Sequence, residues 1–290
     1  MRRPLLPLLL LVLALVAGAC GQDGTTGDTA APEPRRIVSL SPTATEMLFA
    51  IGAGGQVVAV DSNSNYPAEA PTTDLSAYQP NIEAIAGYKP DLVVYSDDPG
   101  ELKAGLDRLS IPVLHQPAAT DLDDTYAQLE QLGRATGHAE KANQVATAMR
   151  AEIDKIAAAT RPERPLTYYH ELDKNLYTAT SKTFIGQLYA QLGMKNIADA
   201  ADKDGTGYPQ LSAEYVIKAD PDLIFLADTK CCGQSARTVA ARDGWDQITA
   251  VRSDGVVELD DDVASRWGPR VVDFLKTVAA EVQTAETVGS

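Results

Sequence analysis

The stretch YQPNIEAIAGYKPDLVVYSDD, residues 78–98, returns later in the chain as YPQLSAEYVIKADPDLIFLADT, residues 208–229. Glu83 aligns with Glu214, Pro90 with Pro221 and Asp91 with Asp222 at one constant offset, and Tyr78 aligns with Tyr208 after a single residue of slip. Leu92-Val93-Val94 then matches Leu223-Ile224-Phe225. Each copy reads as a short helix, a Pro-Asp stop and a buried strand of branched residues. A repeat in that order predicts two similar α/β lobes.

The surrounding segments fit the same plan. RRIVSLS (35–41), GQVVAVDS (55–62) and IPVLHQP (111–117) are strand candidates in the first half. LTYYHEL (166–172) and GVVELDD (255–261) play the matching parts in the second. Strands alternating with helical patterns imply mainly parallel sheets covered by helices. Between the halves, the Ala-rich run after Gly137 places Val145, Met149, Ile153 and Ile156 at helical spacing without Pro or Gly. That is roughly 30 Å of rod. The expected organisation is an N-terminal lobe over 36–137, a bridging helix over 138–160, a C-terminal lobe over 161–283 and a tail over 284–290. Two lobes on one long helix should enclose a cleft with limited freedom to open.

The first 19 residues carry Arg2 and Arg3, an apolar run and then small residues before Cys20. This is the layout of a secretory signal peptide, too short to span a membrane comfortably. Small residues directly before a Cys resemble the lipobox of bacterial lipoproteins, in which Cys20 is lipidated and becomes the mature N-terminus. Residues 20–35 lack large apolar side chains and read as a tether of roughly 20 Å root-mean-square span. The expected location is therefore extracytoplasmic, anchored to the cell membrane.

A formal net charge of −15 over 290 residues argues against nucleic-acid binding, which needs clustered Lys and Arg. No nucleophile elbow, P-loop or HExxH is present, so little looks like an enzyme. Cys231 and Cys232 are adjacent, unlike the separated pairs of metal sites. Outside the cytoplasm they are expected to form a vicinal disulfide, with two free thiols as the alternative. A thiol redox protein or enzyme built on this pair is a competing reading. A zinc or manganese receptor is another, weakened because His115, His138 and His170 are scattered.

Candidate ligand groups collect at strand ends and in loops before helices, where α/β clefts gather binding residues. They are Tyr66, Tyr78, Tyr95, Tyr208, Trp267 and, after a strand, His170. Tyr supplies a flat apolar face and a hydroxyl, which suits a large amphipathic ligand. In ELDDDVASRWGPRVVDFL, Asp262 and Arg266 precede the last helix. Arg266 is either a grip for a ligand's polar group or half of an Asp–Arg pair that stiffens the loop. In VSLSPTATEMLFAIG (38–52), Ser41 or Thr43 caps a helix whose first position suits Pro42, and the spacing from Thr43 to Glu46 fits a capping box.

Taken together, RRIVSLSPTATEMLFAIG, YPAEA, the two repeat copies and SRWGPRVVDFL resemble, in order, the landmarks of the class III substrate-binding proteins of ABC importers. The resemblance runs from Arg36 to Val282. It implies two Rossmann-like lobes joined by one rigid helix, and a ligand that is vitamin B12, haem or a ferric siderophore. It also implies a permease and its ATPase as partners, met by a monomer, with no resident cofactor; the cobalt or iron chelate is cargo. Similarity to the B12 receptors puts Tyr66, Tyr78, Tyr95, Tyr208, Asp262 and Arg266 at or near the cleft. In that family each lobe carries a surface Glu that docks on permease arginines, which the resemblance assigns to Glu46 and Glu214. Within the internal repeat the counterpart of Glu214 is Glu83, a pairing that the resemblance sets aside in favour of Glu46.

Overall fold

The computed structural model describes residues 33–288, so the signal segment and Cys20 lie outside the described residues. The first half runs β1 (Ile37–Leu40), α1 (Pro42–Ala50), β2 (Val57–Val60), α2 (Ile82–Gly87), β3 (Leu92–Tyr95), α3 (Leu102–Arg108), β4 (Val113–His115) and α4 (Leu122–Thr136). Then comes α5 (Ala139–Ala159). The second half begins β5 (Thr167–Glu171), α6 (Phe184–Gln191), β6 (Lys195–Asn196), α7 (Ala213–Ala219) and β7 (Leu223–Leu226). It ends with α8 (Thr229–Cys232), α9 (Ala236–Ala240), α10 (Thr249–Arg252), β8 (Val256–Glu258), α11 (Asp261–Ala264) and α12 (Val271–Val288).

Each half builds a parallel four-stranded sheet, ordered β2-β1-β3-β4 and β6-β5-β7-β8. The two orders are the same permutation, and the repeated segments become α2–β3 and α7–β7 at equivalent places. Strands β3 and β7 are buried along their whole length because helices cover both faces, which explains their unbroken apolar runs.

Helix α4 ends at Gly137, whose φ of 79° is the left-handed conformation that closes helices. Gly133 on α4 faces Ala142 on α5 so closely that a Cβ at 133 would overlap it, which lets the two helices pack tightly. Ala142, Ala146 and Met149 of α5 belong to the core under β1 and β3, whereas Ile153 and Ile156 belong to the core under β5 and β7. One helix thus serves two cores.

Candidate functional site

A cavity of about 520 Å³ opens where β1, β2 and β3 end, facing the loop that follows β8. Ser41, Asn63, Tyr78 and Asp97 line it from the first half, and Asp262, Arg266 and Trp267 from the second. Strand carboxyl ends are where open α/β sheets take ligands, since the chain there is free of ladder hydrogen bonds.

Arg266 lines this cavity but is only 8% exposed, and both of its Nη atoms are engaged. Nη1 donates to Glu46 Oε1 (2.8 Å), and Nη2 donates to Asn63 O (2.9 Å), Asn65 Oδ1 (3.0 Å) and Asp262 Oδ1 (2.8 Å). Its expected role as a ligand grip is therefore corrected: it fastens the loop after β8 to α1 and to the loop after β2. The alternative of an Asp–Arg pair is the nearer one, extended across the cleft. Asp262 also accepts from Asn65 Nδ2 (2.9 Å) and Lys230 Nζ (3.0 Å). Burial pushes its carboxyl up, but those bonds and the charges of Arg266 and Lys230 prevail and hold it below the usual range. Trp267 donates from Nε1 to Gln128 Oε1 on α4 (2.9 Å) and packs against the first core, so its indole forms wall.

Glu46 requires a correction too. It is 3% exposed, and Arg270 adds a second pair to it, Nε to Oε2 (2.9 Å) and Nη2 to Oε1 (2.5 Å). A buried carboxylate held by one buried and one partly buried arginine is not a surface contact for a permease. Nor does it complete a capping box: Ser41 caps α1, its Oγ accepting from the Ala44 N–H (3.3 Å). Glu214 is exposed in the first turn of α7, and bonds from its own N–H and from Ser212 hold its carboxyl below the usual range. Glu83 holds the same position in α2, also exposed, behind the Asn81 cap as Glu214 stands behind Ser212.

The remaining tyrosines separate. Tyr78 is 73% exposed at the cavity, and Tyr208 is 53% exposed in the loop before α7. Tyr95 is 3% exposed and stacks on His115 at 4.9 Å, part of the sheet's packing and not of the cavity lining. Tyr66 stands apart from the cavity, under the Arg270 guanidinium at 4.3 Å, in a second depression that Glu46 and Arg270 also line. His170 is fully buried; its Nδ1 meets Tyr189 Oη at 2.9 Å, and burial lowers its pKa to about 4. It packs inside the second lobe, which corrects its expected place in the cleft. In LTYYHEL the strand alternation turns Tyr168 and His170 toward the core helices, and sequence position alone did not reveal the side.

Tyr177 was missed: it is 43% exposed and bridges to Gln210, two residues beyond Tyr208. The criterion of an aromatic in a polar loop would have found it. Asn63, Asn65 and Arg270 were also missed, since nothing local marks a polar residue as an interlobe partner, and so was Lys230, which pairs with Asp260 and Asp262 inside the second half. Cys231 and Cys232 form a vicinal disulfide. Among the described residues, no group of three or more His, Cys, Asp or Glu could hold a metal ion.

The sequence profile of the family described as periplasmic binding protein matches residues 37–263. The chain is 31% identical over 266 residues to a Bacillus subtilis protein named "Uncharacterized ABC transporter substrate-binding lipoprotein YvrC", covering 88% of this chain and 82% of that one. It is 30% identical over 264 residues to the vitamin B12-binding protein of Pectobacterium carotovorum, covering 89% and 91%. Among solved structures, the periplasmic vitamin B12-binding protein BtuF of Vibrio cholerae is similar, with a TM-score of 0.71, 26% identity and coverage of 87% and 98%.

Proposed function

As the chain belongs to the periplasmic binding protein family, we propose that its ligand is a corrinoid carried to an ABC importer. It is an extracytoplasmic substrate-binding protein of the vitamin B12, haem and siderophore type, and not an enzyme. One observation carries the choice among chelates. Arg266, the guanidinium at the cavity, is spent on Glu46, Asp262, Asn63 and Asn65, and the Lys230 ammonium beyond it is spent on Asp260 and Asp262. An anionic siderophore, or the propionates of haem, would need such a cation free. Tyr78 lines the cavity with its ring exposed, and Tyr66, Tyr177 and Tyr208 are exposed outside that lining; such faces suit a broad macrocycle that is neither strongly anionic nor small.

Delivery in this reading uses Glu83 and Glu214. They occupy matching first turns of α2 and α7, one per lobe, and two separated carboxylates fix orientation on a cationic permease surface and speed encounter. The protein works as a monomer, lipidated at Cys20. The relatives' names that mention vitamin B12 and a lipoprotein support the ligand class and the anchor.

The test is titration of the full-length protein in detergent with cyanocobalamin, haemin and a panel of ferric siderophores, followed by calorimetry. Saturable binding of cyanocobalamin at micromolar concentration or below is expected. Binding confined to haemin or a siderophore would replace the corrinoid, and binding of none would end the chelate reading.

A further inference from the structure

Cys231 and Cys232 lie exposed at the end of α8, joined to each other and to a chain of polar contacts that ends at the cleft. Asp261 collects the N–H groups of Thr229, Lys230 and Cys231 (2.9, 3.0 and 2.9 Å) and the Thr229 hydroxyl (2.8 Å). Lys230, directly before the pair, donates from Nζ to Asp260 Oδ2 (2.8 Å) and Asp262 Oδ2 (3.0 Å). Asp262 is the cavity-lining carboxylate that Asn65 holds from across the cleft and Arg266 holds from four residues further along the same segment. A disulfide between neighbours closes a ring through one peptide bond, so it restrains the 231–232 unit directly after Lys230 and the three N–H groups that Asp261 accepts from.

We propose that the Cys231–Cys232 disulfide is a reversible redox modification site, open to extracytoplasmic dithiols, whose reduction loosens the cleft wall and weakens ligand holding. The exchange balances with a dithiol as reductant. One of its thiolates attacks Sγ of either cysteine, the Cys231–Cys232 bond breaks, and the released cysteine thiolate takes a proton from water. The second thiol of the reductant then displaces the mixed disulfide, leaving two protein thiols and an oxidised reductant. Exposure of both cysteines gives the reductant access. Opening the ring restores rotation about the 231–232 unit, and the grip of Lys230 on Asp260 and Asp262 then has to be held against that added freedom. The affinity readout rests on the corrinoid reading; the coupling itself does not.

The experiment compares the full-length protein before and after dithiothreitol, with thiols counted and backbone hydrogen exchange read at residues 229–231 and 260–266. After reduction, faster exchange in both segments is expected, with cyanocobalamin bound roughly fivefold more weakly. The Cys231→Ser/Cys232→Ser variant should show the reduced behaviour whether or not reductant is present. A disulfide that excess dithiothreitol does not open would overturn the proposal. So would two free thiols with unchanged exchange at 260–266. Faster exchange in a protein that binds cyanocobalamin in neither state would leave the redox coupling standing and remove the corrinoid. The wild-type comparison decides the matter even where the double variant does not fold.

Discussion

Glu46 on α1 and Arg270 at the head of α12 meet in a two-pronged ion pair, Nε to Oε2 at 2.9 Å and Nη2 to Oε1 at 2.5 Å, across 224 residues of sequence. Arg266 joins from the cleft side at 2.8 Å. The three side chains divide the cleft cavity, which Arg266 lines, from the depression under Tyr66, which Glu46 and Arg270 line. Buried charges of this kind contribute little net stability when complete, but removing one partner leaves the others uncompensated.

Glu46→Ala is therefore expected to destabilise the fold by about 3 kcal/mol, because it strands the buried Arg266 and the partly buried Arg270. Urea unfolding of the full-length protein measures it. A docking residue would behave differently: its variant would keep full stability and lose uptake alone.

Glu83→Ala and Glu214→Ala should leave cyanocobalamin affinity and unfolding midpoint unchanged, since both carboxylates are exposed. Uptake by cells carrying the cognate permease should fall roughly tenfold for each, the scale of one interfacial charge pair. Normal uptake in the double variant would remove them from the docking face.

Tyr78→Ala and Tyr208→Ala should each weaken cyanocobalamin binding by about tenfold, corresponding to roughly 1.4 kcal/mol of lost ring contact. Tyr95→Phe, at a buried ring stacked on His115, should bind normally. Calorimetry on the three variants separates cleft tyrosines from core tyrosines.

Asp228 sets a pH dependence. It is fully buried, both carboxyl oxygens lack a partner, and its pKa rises to about 7, first through burial and then through the nearby Glu171 charge. The folded state thus holds a proton that the unfolded chain releases near pH 4. Its contribution is present below that pH and is lost as pH rises through about 7. Asp228→Asn should accordingly gain stability relative to wild type between pH 4 and 8, on the order of 2 kcal/mol. His170 acts in the opposite sense, since its lowered pKa costs stability as pH falls from about 6.5 toward 4. The difference between Asp228→Asn and wild type, read by urea unfolding at each pH, cancels that term.

Local chemistry carried much of this protein into the sequence. The repeat at Tyr78 and Tyr208 predicts two lobes because strand runs and Pro-Asp stops are short-range signals, and both sheets follow it. The apolar spacing from Val145 to Ile156 predicts the long helix for the same reason. The repeat also pairs Glu83 with Glu214, and the structure leaves that pair exposed while the resemblance-based partner, Glu46, is buried.

What lay beyond the sequence is the fate of polar side chains whose partners are far away. Arg266 reads equally as a ligand grip or a structural pair until Glu46, 220 positions earlier, is placed beside it. Burial decided His170 and Tyr95 likewise, because a strand's end is local but the side to which each residue turns depends on which helices cover the sheet. Sequence determined the elements and their order, through periodicity and turn chemistry that act over a few residues. Tertiary structure decided which charges are spent and which remain for a partner, because that depends on desolvation and on distances that no local pattern contains.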